Sequence, residues 1–222
     1  MNKLEYIEAL EISKRLVTEL VRFPAKPGKA TVDLRTAVGK FLAEFPTMAD
    51  NWVLGTELLN CFELARAAGA TLNSMARLRA TMFAEVPARH MGTTIVNAAI
   101  LFSFIEESEI ISVQVFKSRG EVAELMDAMG VAIEDIKLNK ADSFAANDYQ
   151  AFVKIAALLI QHMSATERQL PRVVQYTWPI HYPSLALSNR IYGEGSRSEE
   201  LIAENKVVHP LFMQRQILAL SV

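Results

Sequence analysis

The chain contains one cysteine, Cys61, in 222 residues. That excludes an intramolecular disulfide and fits synthesis in a reducing compartment. It has no basic excess either: 23 Lys and Arg stand against 25 Asp and Glu, a net charge of −2. Lys14-Arg15 is the single place where two cationic residues adjoin. A nucleic-acid partner is therefore not indicated, because such domains carry a cationic face. Long apolar runs are missing as well. The most apolar stretch, Met91 to Ile105, includes Thr93, Thr94, Asn97 and Ser103. It falls short of the roughly 20 residues needed to span a bilayer and reads as a buried core helix. The opening MNKLEYIEALEISKR has acidic residues where a signal peptide would be apolar.

The usual catalytic and ligand-binding patterns are also absent. His90, His162, His181 and His209 stand apart, without the i, i+4 spacing or the neighbouring cysteine of a zinc site. No nucleophile elbow, phosphate-cradling glycine loop or dinucleotide fingerprint occurs. Cys61, between Asn60 and Phe62 on an apolar helix face, reads as a small buried hydrophobe. Glu106-Glu107 and Glu199-Glu200 are sequence neighbours that point about 100° apart on a helix. They read as solvated or helix-end charges rather than acid–base partners. No cofactor, metal or enzymatic activity is expected from these patterns.

What is present is amphipathic helix in a chain that is 51% hydrophobic. A chain this long buries roughly 70% of its unfolded surface. Helical spacing predicts helices over 2–23, 31–45 (capped by Thr31 or Asp33 and stopped by Pro46), 50–68 including Trp52, and 71–86 capped by Thr71. The apolar helix follows over 88–108. The stretch from Ile110 to Phe116 alternates like a strand, but no second strong strand signal accompanies it. It reads as the helix continuing or breaking before Ser118. Ser118 with Glu121 forms a capping box for a long helix, and a further helix ends at Leu170-Pro171. Connections are short, so successive helices should be antiparallel neighbours. The predicted fold is mostly α, a bundle of six to eight helices over 1–170. A small C-terminal unit over 171–222 completes it.

The C-terminal unit has the densest punctuation. An extended connector carries Tyr176, Trp178 and Tyr182 between prolines. It reads either as a strap onto the bundle or as a contact strip for another subunit. Pro183 can then open a helix that ends at Gly193 and Gly195, and Ser196 with Glu199 can cap a second helix ended by Asn205. His209-Pro210 forces an extended exit, and Ile217, Leu218 and Leu220 form an apolar end that reads as a strand. Tyr176, Trp178, Tyr182, Tyr192, Asn205, His209 and Pro210 are the candidate partner-contact residues.

These motifs, in this order, resemble the phage DNA circularisation protein family, the N protein of Mu-like tailed phages. The matching residues are Tyr176-Thr177-Trp178-Pro179, Pro183-Ser184-Leu185, Arg190-Ile191-Tyr192-Gly193-Glu194, Ser198 to Asn205, and His209-Pro210. Upstream, Phe116-Lys117-Ser118-Arg119-Gly120-Glu121 matches the family's Phe-x-Ser-Arg-x-Glu element. Members typically carry a β-rich domain ahead of the helical region, a pattern these 222 residues do not show. The resemblance implies a virion protein of the tail or baseplate, made in the bacterial cytoplasm. Its partners would be other tail or baseplate proteins and further copies of itself. The segment from Pro183 to Leu220 is also similar to a LysM module without its first strand. That likeness implies peptidoglycan as an alternative ligand during injection. The family name implies a third role, binding and circularising DNA ends, which the near-neutral charge argues against.

Overall fold

The computed structural model describes residues 3–24, 27–51 and 53–221. Trp52, assigned to a helix from the sequence, lies outside the described residues, as does the middle of the Pro24–Lys29 linker. The fold is mostly α, as predicted, with one two-stranded sheet among the described residues. Among the described residues eight α-helices precede the first strand: α1 (Lys3–Arg22), α2 (Lys29–Ala43), α3 (Phe45–Asp50), α4 (Leu54–Ala67), α5 (Leu72–Ala84), α6 (His90–Ser112), α7 (Arg119–Asn139) and α8 (Ala146–Gln169). Then come β1 (Val173–Thr177), α9 (Ser184–Tyr192), α10 (Ser198–Glu204) and β2 (Gln216–Leu220).

The chain forms two compact units. The first comprises Met1–Gln114 and Ala132–Leu159, and the second Val115–Val131 and Ile160–Val222. The division thus passes through α7 and α8. The reason lies at the start of α7. The Arg119 guanidinium donates to the carbonyls of Leu170 (2.6 Å) and Arg168 (3.3 Å), and its backbone N–H donates to the Pro171 carbonyl (3.0 Å). The end of α8 is thereby tied to the first turn of α7 within the second unit.

In the first unit α6 packs against α1, α4 and α5. Its run of Ile95, Val96, Ala99, Ile100 and Phe104 is buried, so the apolar stretch is a core helix. No helix of the described residues is long and apolar enough to cross a membrane. Gly92 lets α6 approach α1 closely: a Cβ there would lie 2.9 Å from the Pro87 Cβ and 3.1 Å from the Ile12 Cδ1. Glu8 and Glu5 of α1 accept hydrogen bonds from the Ala88 and Met91 N–H groups (2.8 and 3.3 Å), satisfying donors at the start of α6.

Local signals fared unevenly. Thr71 caps α5 as predicted, in a reciprocal box with Ser74. Ser118 accepts from the Glu121 N–H, and the Glu121 carboxylate returns to the Lys117 N–H (2.8 Å), one residue earlier than a standard box. The Ile110–Phe116 stretch is helix to Ser112 and then irregular, so rejecting the strand was correct. The helix predicted at Thr31 begins at Lys29, with Gly28 at its cap position and no side-chain cap. Pro46 opens α3 instead of merely stopping its predecessor, since a first-turn proline forfeits no helical hydrogen bond. The predicted box from Ser196 does not form. Arg197 occupies the cap position of α10, one residue after the expected cap.

Glu106 and Glu107 also correct the sequence reading. Both are buried, at 1% and 0% exposure. The Glu106 carboxylate accepts from the Arg66 guanidinium of α4, and Glu107 accepts two hydrogen bonds from Arg79 of α5 (2.8 and 3.1 Å). Burial pushes both carboxyls above the usual range, against the lowering effect of the arginines. These pairs fasten α6 to its neighbours. Cys61 is buried as expected, and burial, with Glu57 nearby, pushes its thiol up to about 12. It therefore stays protonated at neutral pH.

Candidate recognition surface

The last fifty residues form a β–α–α–β unit. β1 pairs antiparallel with β2, in the register Val173↔Leu220 to Thr177↔Gln216. A strand therefore lies in the segment that reads from the sequence as an aromatic connector. Its burial does not alternate cleanly, and its partner lies at the far end of the chain, so neither period nor proximity revealed it.

α9 ends at Gly193 in the left-handed conformation (φ 77°), the positive-φ stop predicted from the sequence. Gly195 serves differently. It allows close approach, because a Cβ there would come within 2.7 Å of the Leu185 Cδ1. The unit's core is Leu187, Leu201, Met213, Ile217 and Ala219, with Tyr176, Trp178, Tyr182, Ile191 and Tyr192 packed against it. Tyr176, Trp178 and Tyr182 are thus half-buried within their own unit. The Trp178 and Tyr182 rings meet edge to face at 5.8 Å. The Arg190 guanidinium lies 4.3 Å from the Tyr182 ring centre and 5.7 Å from that of Trp178. Arg190 escaped sequence reading because nothing local marks a cation that will stack on rings eight or more residues away.

Asn205 and Tyr192 are latches. The Asn205 amide donates to the Leu201 carbonyl (2.8 Å) and the Leu218 carbonyl (2.7 Å), and its oxygen accepts the Leu218 N–H (2.7 Å). The end of α10 is so bonded to β2. The Tyr192 hydroxyl accepts the Leu220 N–H (3.1 Å) and donates to Glu200 (3.1 Å), while Arg197 pairs with Glu200 and covers the Tyr192 ring at 3.8 Å. Burial and the Glu200 carboxylate push the phenol up to about 12, so it is a neutral donor at physiological pH. These two side chains are spent inside the unit.

His209 and Pro210 differ. They lie exposed in the loop between α10 and β2, anchored where the Pro210 carbonyl accepts the Ser184 N–H (2.8 Å). The loop also exposes Val208 (99%), Leu211 (56%) and Phe212 (67%), with the His209 and Phe212 rings 5.4 Å apart. Ile180 and Leu185 are exposed in the same unit. The sequence did carry a signal for this patch: Val207-Val208 and Leu211-Phe212 flank His209-Pro210, apolar residues with no periodicity to bury them. Such a cluster on a firmly bonded scaffold is suited to apolar docking and offers no nucleophile or acid–base pair.

Compared with protein-family models and with curated proteins, the chain gives no match.

Proposed function

We propose that this chain is a structural component of a phage or prophage tail or baseplate, acting through subunit contacts in tail assembly or DNA delivery. The observation that carries the proposal is the apolar loop at Val208, Leu211 and Phe212, held out on a β–α–α–β unit whose own polar groups are largely engaged internally. Support also comes from the resemblance at Tyr176–Pro179, Arg190–Glu194 and His209-Pro210. The Phe116–Glu121 element adds to it, since Ser118, Arg119 and Glu121 all make the structural bonds described above. The test is mass spectrometry and cryo-microscopy of particles purified from an induced culture of the source strain. The chain should be found in tails at stoichiometric level, and its absence from particles would contradict the proposal.

A second reading is favoured by one observation, the antiparallel pairing of β1 with β2. With both strands present, the unit has the order of an intact LysM-like module, and peptidoglycan becomes a ligand to test. Sedimentation of the purified chain with insoluble cell wall, lost on Phe212→Ser, would support it. Failure to sediment would leave the docking role alone.

A further inference from the structure

We propose that the outer edge of β1 pairs with β1 of a second copy of the chain, joining the two β1–β2 ribbons into one continuous antiparallel sheet. The two edges of the ribbon differ. On β2, the Leu218 N–H donates to the Asn205 side-chain oxygen and the Leu218 carbonyl accepts from its amide nitrogen, both at 2.7 Å. The Leu220 N–H donates to the Tyr192 hydroxyl (3.1 Å). Two side chains therefore close that edge. The same bonds fix which way β1 faces. Leu218 and Leu220 turn these groups away from β1, so their register partners Gln175 and Val173 turn theirs away from β2. The ladder bonds fall on the alternate residues. Flanking the ribbon in that alternation, the Ser221 N–H donates to the Arg172 carbonyl (2.6 Å) and the Trp178 N–H to the Arg215 carbonyl (2.8 Å). Thr177, paired with Gln216, follows Gln175 in facing outward. Val173, Gln175 and Thr177 thus line the outer edge with N–H and C=O groups, and among the described residues no other strand pairs with it. Such an edge is commonly blunted by lysine, proline or a bulge. Val173–Thr177 contains no charged residue and no proline, and its register with β2 is unbroken.

The edge is complementary to its own copy. Val173, Gln175 and Thr177 are symmetric about Gln175. Two β1 strands laid antiparallel about that residue set Gln175 opposite Gln175 and Val173 opposite Thr177. Every outward N–H of one copy then meets an outward carbonyl of the other, donor against acceptor along the whole strand. On the core-facing side Val174 comes opposite Tyr176. Val174 is 37% exposed although its partner in β2, Ala219, is fully buried. A β-branched side chain against an aromatic ring is a favourable cross-strand pair. On the other side the Gln175 amides meet at the two-fold axis, where each can donate to and accept from the other. No like charges are opposed, since β1 carries none. An unrelated extended segment would satisfy the backbone but would have to bring the side-chain partners too; a second copy supplies them by symmetry. Because the β2 edge is closed, the pairing stops at two copies instead of growing into a fibre. Neither the apolar loop nor the tail proposal enters this argument.

The test is sedimentation velocity of the full chain over a range of concentration, with hydrogen exchange on the same samples. Wild type should form a dimer, and the Val173, Gln175 and Thr177 amides should gain protection as it forms. Gln175→Lys and, separately, Gln175→Glu set like charges across the two-fold axis and should each weaken the dimer at least about tenfold. An equimolar mixture of the two variants should dimerise again, because opposite charges then face each other. Gln175 is exposed, and circular dichroism checks that each variant is folded. A wild type that is monomeric at every concentration, a dimer that both variants leave intact, or a mixture that stays monomeric would overturn the proposal. So would a dimer whose β1 amides exchange as fast as in the monomer, which would place the contact on another surface.

Discussion

The two units solve the same problem with different chemistry. The first is held by a large apolar core around α6, closed by two ion pairs with fully buried glutamates. The β–α–α–β segment of the second has a core cluster of five fully buried side chains and relies on polar latches: Asn205 to β2, Tyr192 to Leu220 and Glu200, and Arg197 across the Tyr192 ring. The difference follows from size. A short β–α–α–β segment cannot bury enough apolar surface by itself, so hydrogen bonds that fix strand and helix ends carry a larger share. The polar side chains that dominate its sequence signature are therefore internal, and the loop leaves Val208, Leu211 and Phe212 exposed.

Breaking an ion pair in the first unit should have the largest effect. Arg79→Ala leaves Glu107 buried without its cation and should cost about 3–5 kcal/mol at neutral pH in denaturant unfolding. The pH dependence sharpens the point. The folded carboxyls of Glu106 and Glu107 sit above their ordinary value of 4.5. The folded state then binds protons more readily than the unfolded chain over that window. Their contribution to stability is present below the ordinary value and is lost as pH rises through the folded one. Unfolding of Arg79→Ala followed from pH 4.5 to neutrality should show its deficit growing with pH. A deficit independent of pH would mean that the carboxylate charge is not the cause.

Next in size is the small core. Leu201→Ala empties a fully buried site and should cost about 2–5 kcal/mol. A measured loss under about 1 kcal/mol would mean that the site collapses around the gap. Asn205→Ala removes three hydrogen bonds, two of them to β2, and should cost about 1–3 kcal/mol. Hydrogen exchange should show the Leu218 amide released while amides of α6 keep their protection. Gly193→Ala forces a Cβ into the left-handed region and should cost about 1–2 kcal/mol. If Leu201→Ala proved milder than Asn205→Ala, polar latching would outweigh packing in the second unit.

The helices were legible because their apolar periodicity is strong and local, as in α1 and α8. So was the stop at Gly193, at positive φ. What was not legible depends on partners distant in sequence. Glu106 and Glu107 look like surface charge until Arg66 and Arg79 are brought to them from 40 and 28 residues away. β1 is a strand only because β2 pairs with it. Of the seven candidate contact residues, His209 and Pro210 lie in the exposed apolar loop. Asn205 and Tyr192 fasten the unit internally, and the three connector aromatics pack on its core. Local sequence marked where the unit is, but not which side chains it uses on itself.

The most direct test of the docking role is the content of assembled particles when the loop alone is changed. Leu211→Ser with Phe212→Ser alters two exposed side chains and should leave the unfolding midpoint of the purified chain unchanged. Particles assembled with this variant as the sole copy, quantified by mass spectrometry, should contain at least about tenfold less of it than of wild type. Incorporation at the wild-type level would contradict the proposal that this loop is the contact that places the chain in a tail.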